Sequence, residues 1–254
     1  MRAIHRGVLL LGTLVLMGAA AASAQTAPTV EEIIEKSLAA VGGREALARV
    51  TSRSASGTMS LPTPGGDLSG SIDILNEVPN KIRSLVKLDA SAMGGGVIVV
   101  DERFDGSSGY VMDTMQGNSA MTGSRLEYMR NAIFPSPFVD YKARDAKVEL
   151  AGKEKLADRD VFALVMTPAT GPALRLLIDA ATYLPVKMSV TMDLPQMGSV
   201  EQSFEFSDFR DVDGVKVAFV LKGMTGPVPF TVTLTKVEHN VKIDPSLFVK
   251  PADK

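Results

Sequence analysis

The sequence predicts an α+β protein in which a curled antiparallel sheet of about ten strands is covered on its concave face by a few short helices. Three observations lead there. From Ser54 onward the apolar residues recur with a period of two. Turn signals interrupt that pattern every six to ten residues or so. Helical periodicity is confined to two places, residues 29–50 and a stretch near 125–134.

The chain of 254 residues is 45% hydrophobic, enough for a sizeable core in one domain. Residues 1–24 read as a secretory leader. Arg2 and Arg6 precede the apolar run GVLLLGTLVLMG, and Ala22, Ser23 and Ala24 supply the small residues that signal peptidases cleave after. The expected mature chain, 25–254, is a single domain of the periplasm. There are no cysteines, so disulfides, thiol nucleophiles and a lipid-modified cysteine anchor are excluded. The 27 basic residues fall to 25 when Arg2 and Arg6 leave with the leader, against 29 acidic ones, a net charge of about −4. No basic stripe is present to release counterions from nucleic acid.

In TVEEIIEKSLAAV, Thr29 is placed to cap a helix whose first turn carries Glu31 and Glu32, with Val30, Ile33, Ile34, Leu38 and Val41 at helical spacing. Gly42 and Gly43 stop it, and Ala46, Leu47 and Val50 give a second short apolar face. The two glycines are candidates for a hinge that lets this broken helix move. Strands then follow: SASGTMSL, LSGSIDILNEV, KIRSLVKLD, GVIVVDERFDG and GYVMDTMQG. Leu126, Met129, Arg130 and Ile133 suit a helix ended by Pro135. The rest reads as hairpins. Phe230, Val232 and Leu234 point to one side of the sheet, as do Val186, Met188, Val190 and Met192, with polar residues between them. One face is therefore apolar throughout, and three small helices cover it only in part.

Residues able to do chemistry are few. His239 is the only histidine after the leader and reads as a solvated side chain, with no metal cluster around it. Asp208, Asp211 and Asp213 lack the spacing of a calcium loop. Gly94 to Gly96 precede a strand rather than a helix, the wrong order for phosphate capture. Ser107 and Ser108 have no histidine to activate them, and the acid pairs Asp101/Glu102 and Asp158/Asp160 read as solvated. No cofactor is expected and no catalytic residue is assigned. Eleven of the thirteen methionines lie beyond the leader and there is no tryptophan. Flexible thioethers suit either core filling or a surface that adapts to acyl chains. The candidate cavity residues are Met112, Met115, Phe134, Phe138, Met188, Met192 and Phe230.

The phrases SLAAVGGREALARVTSRSASGTM, GKEKLADRDVFALVMTP, LLIDAATYLPVKMSV, FSDFRDVDGVKVAF and NVKIDPSLFVKP resemble the LolA/LolB-like superfamily of outer-membrane lipoprotein-sorting proteins. The shared motifs are D-x-x-T-x-L-P, at Asp179, Thr182, Leu184 and Pro185, and F-x-D-x-R-x-V-D-G-V, from Phe206 to Val215. As turn builders, Asp179, Tyr183, Asp208, Arg210, Asp213 and Gly214 read as scaffold. The resemblance implies an open half-barrel with helices on its concave face and an apolar cavity for lipid or lipoprotein acyl chains. It also implies a membrane-anchored donor or acceptor protein as partner. The leading expectation is a monomeric periplasmic carrier of an apolar ligand. A protein-interaction or envelope-sensing module of the same fold is the alternative, and a hydrolase the third.

Overall fold

The computed structural model describes residues 27–194 and 198–251; the predicted leader lies outside them. Helices α1 (Val30–Ala40) and α2 (Gly43–Ala48) come first. Thr29 closes a reciprocal cap on α1: its hydroxyl accepts from the Glu32 amide at 3.2 Å, and the Glu32 carboxylate accepts from the Thr29 amide at 2.8 Å. Ile33, Ile34 and Leu38 are buried on one side of α1, and Ala46 and Leu47 continue that face on α2.

The strands are β1 (Ser52–Leu61), β2 (Leu68–Glu77), β3 (Lys81–Asp89), β4 (Val97–Phe104), β5 (Gly109–Asp113) and β6 (Ser119–Ala120). Helix α3 (Gly123–Asn131) follows. Then come β7 (Lys147–Leu156), β8 (Arg159–Thr167), β9 (Leu174–Asp179), β10 (Pro185–Leu194), β11 (Gly198–Val212), β12 (Val215–Thr225) and β13 (Val228–His239). All thirteen belong to one sheet in the order β6-β5-β4-β3-β2-β1-β13-β12-β11-β10-β9-β8-β7. Every neighbouring pair is antiparallel. The sequence pattern yields about ten strands because β6 has two residues, and because the two-residue turns after β7 and β11 barely interrupt the alternation.

Strands β6 and β7 are the two edges and do not pair, so the sheet is an open half-barrel. The chain linking these edges carries α3 and segment 132–146 across the opening. The two halves of the sheet meet at the β1·β13 pair, the longest-range pairing in the molecule. The main core lies on the inner face, where α1, α2 and Phe134, Phe138 and Tyr141 of the 132–146 segment pack on Ile72, Val86, Leu164, Ile178, Val217 and Val232. A small separate cluster on the outer face joins Val161, Ala163, Leu177 and Val186.

Among the described residues the register shifts at three places, one of them between Leu150 and Gly152 on β7, and the other two decide which side chains of β10 and β13 face inward. Between Pro185 and Lys187 the β9–β10 register slips, so Val186 packs on the outer cluster while Met188, two residues on, joins the inner one. This corrects the expectation that Val186 shares a face with Met188, Val190 and Met192. In β13, Lys236 pairs with Ser56 but Leu234 pairs with Gly57. The extra residue turns Val237 and His239 inward beyond the alternation of Phe230, Val232 and Leu234.

Candidate ligand-binding site

A band of half-buried apolar side chains crosses the inner face near the β12–β13 turn. Met188 on β10 stands opposite Phe204 on β11, and Phe204 opposite Gly223 on β12. Gly223 in turn faces Phe230 on β13, and Leu221 faces Val232, which lies opposite Met59 on β1. Leu61 extends the band along β1. Phe204 and Phe230 meet edge to face, with ring centroids 5.7 Å apart at 76°. Gly223 makes that possible: a Cβ there would overlap the Phe230 ring.

The rest of the inner face is plugged by short pieces. Phe134 and Phe138 are 7% and 3% exposed. Helix α3 ties the two halves of the sheet together across the opening. On one flank Arg125 pairs with Glu102, the Arg130 guanidinium donates to the Ser107 carbonyl at 3.1 Å, and the Asn80 amide donates to the Arg130 carbonyl at 2.9 Å. On the other flank the Thr170 hydroxyl donates to Glu127 at 2.9 Å, Asn131 donates to the Thr170 carbonyl at 2.9 Å, and the Asp193 amide donates to Ser124 Oγ at 2.8 Å. Between α1–α2 and residues 138–143 runs a seam of about 300 Å³, floored by Ile34, Phe138 and Tyr141. The Lys142–Glu31 pair at 3.3 Å and the Arg44–Glu35 pair at 2.6 Å lie along it. A seam of that size is at the lower limit of ligand pockets, so it cannot enclose a long acyl chain unless the plug moves.

The candidate cavity residues separate into three groups. Met188 and Phe230 stand in the band, and Met192 is buried on the same inner face. Phe134 and Phe138 belong to the plug. Met112 lies on the outer face opposite Asp101, and Met115 is 72% exposed in the turn after β5, so neither adjoins the band. Met59, Leu61, Phe204 and Leu221 complete the wall. Each carries the period of two, Met59 and Leu61 in SASGTMSL, Phe204 with Phe206, and Leu221 after Val215, Val217 and Phe219, but nothing local sets them apart as a wall.

The turn motifs build turns. The Asp179 carboxylate accepts from the Ala181 and Thr182 amides at 3.0 and 2.7 Å, and Asp211 accepts from the Gly214 amide at 3.0 Å. Asp208 and Arg210 pair at 2.7 Å with the guanidinium 4.3 Å from the Phe219 ring. Ser107 Oγ donates to Asp105. Among the described residues no group of three or more acidic, histidine or cysteine side chains is placed to hold a metal ion, and no helix is long and apolar enough to cross a membrane. His239 overturns its reading as a solvated residue: its side chain is 1% exposed, with Nδ1 3.7 Å from Asp213. Burial, with the nearby Arg53 charge, holds its pKa below the ordinary histidine value.

Solved structures share this architecture. A DUF1329 family protein from Desulfovibrio piger superposes with a TM-score of 0.54 at 14% identity, over 88% of this chain and 98% of that one. A LolA superfamily protein from Nitrosomonas europaea superposes with a TM-score of 0.53 at 13% identity, over 88% of this chain and 99% of that one. No protein-family model matches the sequence, and no curated protein does. At these identities the likeness establishes the fold: an open antiparallel half-barrel with helices on its inner face.

Proposed function

We propose that the protein is a periplasmic binding protein, secreted through its leader, that holds the apolar chain of a lipid or of a lipoprotein against the inner wall. The plug formed by α1, α2 and segment 132–146 occupies the rest of the inner face, beside the band, until the chain displaces it. The observation that carries this reading is the half-buried band from Met188 to Leu61, on an inner face whose remainder is covered by short, separate segments instead of a second layer of sheet. The ion pairs along the seam add little resistance, since Lys142, Glu31, Arg44 and Glu35 are all about half exposed or more.

The test is binding of a pyrene-labelled dodecyl chain to the wild type and to Met188→Asp/Phe230→Asp. Both positions are half-buried, so the charges reach water while spoiling the wall. The wild type is expected to bind, and the double variant to bind at least about tenfold more weakly, since an arriving chain would lose two apolar contacts and strip water from two carboxylates. Equal binding by both, or none by the wild type, contradicts the reading. Recovery of a protein instead of a lipid by periplasmic cross-linking would favour the interaction module.

A further inference from the structure

One charged side chain on the inner face has no acid to balance it. Arg53 on β1 shares its face with Ala55, and its cross-strand partners are Asn76 on β2 and His239 on β13. Its guanidinium donates to Asn76 Oδ1 at 3.3 Å and stands 5.0 Å from the centre of the Phe134 ring. Its Nε is buried with no hydrogen-bond partner, and so is His239 Nδ1 beside it. Among the described residues no carboxylate lies within ion-pair distance of Arg53. The acid nearest His239 is Asp213, whose side chain is 70% exposed. Burial pushes the Arg53 pKa down to about 10. Arg144, by contrast, also leaves Nε unpaired but donates to the carbonyls of Pro137 and Val139 at 2.9 Å each.

An apolar wall that keeps a partly buried cation, its Nε buried and unpaired, loses stability unless something of opposite charge visits it. In the closed state the face of Phe134 is the substitute, a weaker partner than an anion. Phe134 belongs to the plug, so the motion that uncovers the wall also uncovers Arg53. Arg53 and Met59 lie on one strand, about 20 Å apart at the usual rise. A ligand with an acidic head and a long tail would therefore place its head at Arg53 and its tail along the band.

We propose that Arg53, flanked by His239 and Asn76, anchors the carboxylate or phosphate-monoester head of a single-chain amphiphile, in the place that Phe134 fills when the protein is empty. This rests on the inner wall being the binding surface, as argued above, and names the class of ligand.

The experiment compares cis-parinaric acid, a fluorescent long-chain carboxylate, with its methyl ester, on the full mature chain. The wild type is expected to bind the acid roughly ten- to a hundredfold more tightly than the ester, as for hydrogen bonds to a charged group. Arg53→Met is expected to bind both equally at the wild-type affinity for the ester, and Arg53→Lys to regain part of the preference. Circular dichroism confirms that each variant is folded. Equal binding of acid and ester by the wild type, or a preference that survives in Arg53→Met, overturns the anchor while leaving the apolar wall intact. Binding of neither ligand defeats the proposed function and the anchor with it. Displacement by palmitate and by palmitoyl lysophosphatidate then assigns the head group: the stronger competitor identifies carboxylate or phosphate, and failure of both to displace the acid overturns the anchor.

Discussion

Gly42→Ala is expected to lower stability by about 3 kcal/mol and to loosen the helical plug, because it combines a forbidden backbone angle with a clash that nothing can relieve. Gly42 has φ +127°, and a Cβ there would overlap the carbonyl oxygen of Gly214 and come 3.2 Å from the Val215 Cα. Both are backbone atoms of the β11–β12 turn, so no side chain can swing aside. The neighbouring bond from the Lys216 amide to the Val41 carbonyl, 2.9 Å long, fixes the same junction. Gly43 is the control. It also has positive φ, at +86°, but faces open space, so Gly43→Ala is expected to cost only the left-handed strain of about 1 kcal/mol. Denaturant unfolding of the two variants measures the difference, and an apolar fluorescent dye is expected to bind Gly42→Ala more strongly than the wild type. The glycine pair had suggested a hinge in the sequence. In the structure Gly42 is instead a docking point, and motion of α1 has to occur about it or break it.

Asp101→Asn is expected to cost about 3 kcal/mol, the scale for removing one partner of a buried ion pair. Asp101 is 4% exposed on the outer face, where Arg83 Nε and Nη2 donate to its two oxygens at 2.9 and 2.8 Å. Arg103 adds Nη2 at 2.8 Å and Nε at 3.2 Å, and donates from Nη1 to the Val249 carbonyl at 3.2 Å. The variant leaves two guanidinium groups facing each other with no anion between them, Asp73 acting on Arg83 only as a more distant charge. Burial raises the Asp101 pKa, but the bonds from Arg83 and Arg103 outweigh it and hold the carboxyl below its ordinary 3.8. The unfolded chain therefore takes up this proton first as pH falls. The contribution is whole above about pH 4 and is lost as pH drops through the lower folded value. Unfolding midpoints measured from pH 7 to pH 2 should show a shallower acid decline in Asp101→Asn than in the wild type.

Period-two alternation was enough to reveal the antiparallel sheet, its apolar face and the helical cover, and the Thr29 cap is where the residues place it. What the chain hides arises from pairing. Val186 points outward and His239 inward because of bulges, which depend on the register of neighbouring strands and leave no trace in either strand alone. Asp101 reads as solvated in the sequence, since nothing local announces that Arg83 on β3, opposite Arg103, reaches it diagonally. The band was half legible: Met188 and Phe230 stand out by type, whereas Phe204 depends on the cross-strand gap at Gly223. Met112 misled because β5 presents its odd residue, Val111, inward. The Arg53 anchor is invisible in the sequence, because it requires three strands and the plug to meet.

Hydrogen exchange on the protein with and without saturating cis-parinaric acid tests most directly whether the inner wall is a binding surface closed by its own helices. Occupancy is expected to lower amide protection in residues 30–48 and 132–146, while that of β10 to β13 is kept or raised. Unchanged protection of the plug with ligand bound would contradict a wall that opens by displacement.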